Sequence, residues 1–125
     1  MSGDIARSGF DDLGEIELLD KPYSTSRPSY TTDQVEQVWN TALSKSKKKG
    51  RVFDPYNKKE ELFWTPGTSR IGKWDMGHKK NQKYEVKHAL YMKGKITKEA
   101  FLAWYQDPNN YVPESVTGNR SHKNE

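Results

Sequence analysis

Two of the chain's three histidines stand where an imidazole could do chemistry. His78 closes Trp74-Asp75-Met76-Gly77-His78, where a short candidate strand stops at a glycine, the residue that lets a backbone turn sharply or approach another group closely. An imidazole presented there is expected to be exposed and, with the carboxylate of Asp75 three residues upstream, suits a general base, because histidine titrates near neutrality and a neighbouring acid tunes it. At the other end of the chain Asn110, Asn119, His122 and Glu125 recur at steps of nine, three and three. If Asn119 begins a helical turn, then Asn119, His122 and Glu125 share one face and could converge on a single divalent cation. Asn and carboxylate oxygens suit a hard ion such as magnesium, while an imidazole admits zinc, nickel or manganese. A base to activate water and a cation to stabilise developing charge are together what phosphodiester hydrolysis requires.

The elements that must position these groups are legible in part. Thr31 with Gln34 three residues on fits a capping box, and Val35, Val38, Trp39 and Ala42 share a helical face, so a first helix is expected from about Thr32 to Leu43. Ser44 to Gly50 is a short charged loop. Asp54-Pro55-Tyr56-Asn57-Lys58 reads as a turn between Val52-Phe53 and Glu61-Leu62-Phe63-Trp64, giving a hairpin. The short strand leading to His78 follows. Two more helices are expected, from Lys83 to Lys93 before Gly94, and from a Thr97 cap through Phe101, Trp104 and Tyr105 to Pro108. His88 shares a helix face with Tyr84 and Tyr91 and reads as a core histidine. Asn109 to Glu125 is polar, Asn-rich and nearly devoid of core residues, hence either a frayed tail or a functional segment.

Composition bounds what this machinery can be. The 125 residues allow one domain. Four Trp, seven Tyr and four Phe can furnish a modest core despite the 30% of charged residues. No apolar run approaches the roughly 20 residues that span a bilayer, and the start lacks the apolar core of a secretory signal, so the piece is expected to be soluble with no membrane partner. Without cysteine there is no disulfide framework and no thiolate metal site, which leaves His, Asp, Glu and Asn as ligands. Charge is uneven: residues 1–30 hold six acids against three bases, a net of −3, which leaves +7 on the remaining 95. That basic part is the part that would meet a phosphate backbone, although a lysine-rich surface also serves solubility alone. Residues 1–27, with Gly3, Gly9, Gly14 and Ser24-Thr25-Ser26, show no sustained period and read as a linker or the tail of something larger.

A resemblance sharpens these readings. Arg27-Pro28-Ser29-Tyr30, Val35-Glu36-Gln37-Val38-Trp39, Val52-Phe53-Asp54-Pro55, Gly72-Lys73-Trp74-Asp75-Met76-Gly77-His78, Asp107-Pro108-Asn109-Asn110-Tyr111-Val112-Pro113-Glu114 and Asn119-Arg120-Ser121-His122-Lys123-Asn124-Glu125 together resemble the GH-E family. That family belongs to the HNH and endonuclease VII superfamily, and its members occur as C-terminal toxin domains of bacterial polymorphic toxins. The resemblance implies an α+β fold, a small ββα-metal (His-Me finger) core with added helices and a β-hairpin, over residues 28–125. It implies His78 as the water-activating base, Asn110 as the brace of the loop holding that base, and Asn119 as a metal ligand with His122 as a candidate second. The chain departs from the superfamily pattern at Gly77, where a metal-binding Asp or His often stands; Asp75 takes over that role or only orients His78.

Arg70, Lys73, Lys79, Lys80 and Arg120 bracket the proposed site and could hold phosphates. Arg70 and Arg120 rank first, since a guanidinium fork grips phosphate at two points. The implied protein is a metal-dependent endonuclease toxin using Mg, Mn, Ni or Zn, with DNA as the expected substrate. It would be secreted as part of a larger toxin, act in the target-cell cytoplasm during interbacterial competition, and be neutralised by a cognate immunity protein whose acidity complements the basic face. An RNase with the same site is the nearest alternative. A non-catalytic basic module that grips nucleic acid, with Asn119 and His122 as a mere structural cap, is the alternative of another class.

Overall fold

Thr31 starts the first helix as its side chain dictates. In a computed structural model that describes residues 21–120, helix α1 spans Thr32–Lys45. The Thr31 hydroxyl accepts from the Gln34 amide at 3.0 Å, and the Gln34 side chain accepts from the Thr31 amide at 3.1 Å. The two satisfy donors that a helix start otherwise leaves orphaned. Gln34 also turns inward and donates from Nε2 to the Tyr105 carbonyl at 2.8 Å, which joins α1 to the far side of the core. Val38 and Trp39 are the apolar residues α1 buries, and the helix runs two residues past the expected Leu43.

The hairpin is shorter than its sequence suggests. Strands β1 (Val52–Phe53) and β2 (Glu61–Leu62) pair antiparallel, Val52 opposite Leu62 and Phe53 opposite Glu61. Trp64 leaves the strand to pack edge-on against Trp39 and Trp74, with ring centroids 5.6 and 5.4 Å away. Burying that indole among two others outweighs two more ladder bonds. The core formed here comprises Val38, Trp39, Val52, Leu62, Trp74, Met76 and Tyr111.

Strand β3 (Asp75–His78) pairs antiparallel with β4 (Tyr111–Glu114), Asp75 opposite Glu114, Met76 opposite Pro113, Gly77 opposite Val112 and His78 opposite Tyr111. Between these strands the chain makes helices α2 (Tyr84–Met92) and α3 (Lys98–Tyr105), both close to expectation. Gly94 lets the chain leave α2 at φ 75°. Thr97 caps α3 by accepting from the Ala100 amide at 3.0 Å. The helices bring Tyr91, Phe101 and Tyr105 into a second, aromatic core, where Tyr91 and Phe101 stack at 4.7 Å. A 3₁₀ turn (Pro108–Asn110) leads into β4, and helix α4 (Val116–Arg120) follows it.

The segment from Asn109 onward thus corrects the expectation of a stretch almost without core residues. Tyr111, Pro113, Glu114 and Ser115 are all buried, and β4 with α4 completes a β-strand, β-strand, helix unit begun at Asp75. The strand's partner lies more than thirty residues upstream, and Pro113, which cannot donate to a ladder, argues locally against a strand. At the other end, Lys21 donates to the Tyr91 carbonyl at 2.6 Å, the Tyr91 hydroxyl to the Pro22 carbonyl at 2.7 Å, and His88 Nε2 sits 2.7 Å from the Tyr23 carbonyl. Residues 21–23 are therefore fastened to α2, and half-buried His88 has the structural role its helix face suggests. No helix among the described residues is long and apolar enough to cross a membrane.

Candidate active site

Alternation along β3 and β4 sorts the candidate residues onto two faces. Met76, His78, Tyr111 and Pro113 share one; Asp75, Gly77, Val112 and Glu114 share the other. His78, the last residue of β3, is only 4% exposed, against the expectation of an exposed imidazole, because α3 and β4 close aromatic rings around it. It stacks parallel to Trp104 at 5.3 Å, with Tyr111 at 4.6 Å and Tyr84 and Tyr105 each at 6.4 Å. Burial pushes the hydroxyls of Tyr105 and Tyr111 far up from the ordinary phenolic value, so these neighbours stay neutral and His78 is the ring in this cluster suited to proton transfer near neutral pH.

Asn110 holds the chain on the far side of His78. Its carbonyl accepts from the Lys79 amide at 2.9 Å, and its side-chain Nδ2 donates to the Trp104 carbonyl at 3.0 Å. One residue therefore joins the end of β3, the end of α3 and the start of β4, and so fixes the ring stack on which His78 rests.

The opposite face is ionic. Asp75 Oδ2 accepts from Asn119 Nδ2 at 3.3 Å and from Arg120 Nε at 3.2 Å. Arg70 Nη1 stands 3.8 Å from Asp75 Oδ1 and donates to the Trp74 carbonyl at 3.1 Å. Four residues singled out by sequence, Arg70, Asp75, Asn119 and Arg120, thus meet in space. They meet as an ion-pair cluster in which guanidinium and amide groups take up both Asp75 oxygens. An offset of three along β3 places Asp75 and His78 on opposite faces of the strand pair. Arg70 is half-buried, whereas the Arg120 side chain is 66% exposed and keeps its fork toward solvent. Lys73 and Lys80 are exposed and Lys79 is half-buried. His122 and Glu125 lie outside the described residues.

A residue missed at the sequence level occupies the centre of this face. Glu114, only 1% exposed, lies directly opposite Asp75 and folds over Gly77. A Cβ built on Gly77 would come within 2.6 Å of Glu114 Cγ and closer still to its carboxyl group. Gly77 is required here for space, and Glu114 fills the volume that a side chain at 77 would claim. The sequence carried a signal in Tyr111-Val112-Pro113-Glu114, a stretch within the resemblance, but the pairing that brings it to Gly77 has no local trace.

Asp54 anchors this arrangement from the hairpin. Its Oδ1 accepts from the amides of Tyr56 at 2.7 Å and Asn57 at 3.0 Å, and its Oδ2 from the Ser115 amide at 2.7 Å. Burial alone would raise its pKa, yet the amides of Ser115, Tyr56 and Asn57 outweigh it and hold the carboxyl below its ordinary value. Ser115 in turn accepts from the Gly118 amide at 3.1 Å, which starts α4. Tyr56 in the same turn has its hydroxyl pushed up by burial, then by the charges of Glu114 and Asp54.

Residues 49–125 match the model of the GH-E family, described as an HNH/ENDO VII superfamily nuclease with conserved GHE residues. The chain belongs to that family. No solved structure matches it. Membership assigns nuclease activity and a nucleic-acid substrate, and the mixture of helices with two small antiparallel sheets is the α+β architecture of a small HNH-type core. Within the matched residues Gly77 and His78 end β3, and the fold lays Glu114 against Gly77. HNH nucleases generally use a divalent metal. Among the described residues no three His, Cys, Asp or Glu side chains converge, but the donor chemistry of the Gly77 face fits a hard cation. Glu114 and Asp75 oppose one another there, with the Asn119 amide beside Asp75. The Asp75 oxygens already hold Arg70, Arg120 and Asn119.

Proposed function

We propose that this GH-E domain is a metal-dependent endonuclease that cuts DNA, with His78 as general base and Glu114 and Asn119 as the residues that would hold the metal. The observation that carries the reading is the corner at Gly77-His78, where the Glu114 carboxyl takes the place of the absent side chain at 77. HNH nucleases often have a metal-binding side chain there, and here the neighbouring strand supplies one. A cation held there would stabilise charge on the phosphate and on the departing oxygen. His78 accepts the proton of the attacking water as its oxygen bonds to phosphorus and the bond to the leaving oxygen breaks. The rings of Trp104 and Tyr111 hold the imidazole in one orientation, and Asn110 holds those rings' strand and helix together. Arg120, with its exposed fork, steadies a phosphate beside the scissile one.

The domain is further read as the toxic end of a larger secreted protein that acts in the cytoplasm of a target bacterium and is neutralised by an acidic immunity protein. The charge of +7 on residues 31–125 supports that pairing. The test incubates purified protein with plasmid and with RNA, in EDTA and after restoring Mg, Mn, Ni or Zn. Metal-restored cleavage of plasmid supports the reading. Cleavage of RNA alone makes the domain an RNase with the same site, and binding without cleavage under all four metals sinks the enzymatic reading altogether.

A further inference from the structure

The groove where the C-terminal end of α1, the turn after β1 and the edge of β4 meet has a volume of about 460 Å³. Its floor is apolar, built from Phe53, Pro55, Val112 and Pro113. Its rim is basic: Lys45, Lys47 and Lys48 come from the run that the sequence presents as a plain charged loop, and Lys58 from the turn that Asp54 organises. All four lysines are exposed, and none forms an ion pair among the described residues. Arg51 nearby differs, because its guanidinium is spent on Glu61, with contacts of 2.6 to 3.1 Å. The one acid lining the groove, Asp54, is 2% exposed and turned inward onto three amides. Four ammonium groups thus border an apolar channel; Glu61, whose carboxyl feels the charge of Lys48, has its oxygens on Arg51, and among the described residues Asp54 is the acid that lines the groove.

We infer that this groove binds the phosphodiester backbone of the substrate strand beside the point of cleavage, an inference that rests on the nuclease reading. Lysine ammonium groups donate to phosphate oxygens without demanding a fixed geometry, and an apolar floor beside them suits sugar edges and base faces. The groove is also continuous with the candidate site. Val112 on its floor is the strand partner of Gly77, and Pro113 immediately precedes Glu114. A strand lying along the lysines therefore runs onto the Gly77 face. An acidic protein segment would satisfy the same charges, but that continuity selects the substrate.

The test measures fluorescence anisotropy of a short labelled DNA duplex, and of its RNA counterpart, in an H78A background that binds without cutting. Replacing Lys45, Lys47, Lys48 and Lys58 together by Gln is expected to weaken binding about tenfold or more and to make the salt slope shallower by about 3, four phosphate contacts at about 0.7 to 0.9 each. Replacing Lys87 on α2, Lys93 and Lys95 in the turn after it and Lys98 at the start of α3 by Gln removes the same charge elsewhere and is expected to change affinity less than about twofold. Arg at the four groove positions retains binding, and melting curves show that every variant folds. Equal losses in the two Gln variants, or unchanged affinity and slope in the groove variant, overturn the inference. Cleavage by the wild-type chain is scored separately: if it cuts while the groove variant binds normally, the groove assignment falls and the nuclease reading stands. If it does not cut but the groove variant alone loses binding, the reverse holds.

Discussion

The two faces of the β3–β4 pair are made by opposite physical means. The His78 face is a stack of neutral rings, and position there is set by packing of Trp104, Tyr105 and Tyr111 around one imidazole. The Gly77 face is a set of charges, Glu114, Asp75, Arg70 and Arg120, arranged around the one residue without a side chain. A single peptide bond separates Gly77 from His78, yet strand alternation sends their surroundings to opposite sides. What this teaches is a division of labour within two adjacent residues: one sets an imidazole in a rigid, uncharged setting, and the other supplies room for a carboxylate from the next strand.

The comparison is broken most severely by testing each face alone. His78→Ala is expected to lower plasmid cleavage by about 10² to 10⁴, the usual contribution of a general base, while leaving metal binding intact. Glu114→Gln is expected to abolish the stabilisation that added Mn gives, read as a rise in melting temperature, while keeping the His78 stack. A metal response lost equally in both variants would mean that His78 also holds the cation, and the division of roles between the two faces would be wrong.

Gly77→Ala sharpens the comparison with a smaller effect. The added methyl collides with the buried Glu114 carboxyl, and overpacking of this kind costs about 3 kcal/mol, measured from the denaturation midpoint. The same change in a Glu114→Ala background is expected to cost under about 1 kcal/mol, because the obstructing carboxyl is gone. Additive losses would show that Gly77 is needed for its backbone and not for the space it leaves.

The limits of sequence legibility follow the same line. The caps at Thr31 and Thr97, and the helices they begin, were readable because capping and helical periodicity act over three or four residues. His78 and Asn119 stand out from the residues around them, and the structure sets His78 among rings and Asn119 beside Asp75. Glu114 was not, because its meaning lies in a register between residues 75–78 and 111–114 that leaves no periodic mark, and Pro113 masks the strand. Asp54 looked like an ordinary turn residue; its bond to Ser115 spans 61 positions. Trp64 read as strand because aromatic residues favour strands, and the indole cluster with Trp39 and Trp74 overrode that local preference.

Asp54 supplies the smallest and most separable effect, since it braces both faces without belonging to either. Its carboxylate accepts three amides, one of them from the residue after Glu114. Asp54→Asn replaces one accepting oxygen by an amide donor, and the loss of bonds to a charged group predicts about 2 kcal/mol of destabilisation at neutral pH. The pH dependence has a definite sign. The folded-state pKa lies below the ordinary 3.8, so the stabilisation is fully present above that value and is lost as pH falls through the folded pKa. Urea midpoints taken on either side of pH 3.8 should therefore converge for wild type and Asp54→Asn in acid and separate above it. A gap that persists undiminished into acid would place the cost in packing of the side chain, and the charged anchor between hairpin and helix α4 would have to be given up.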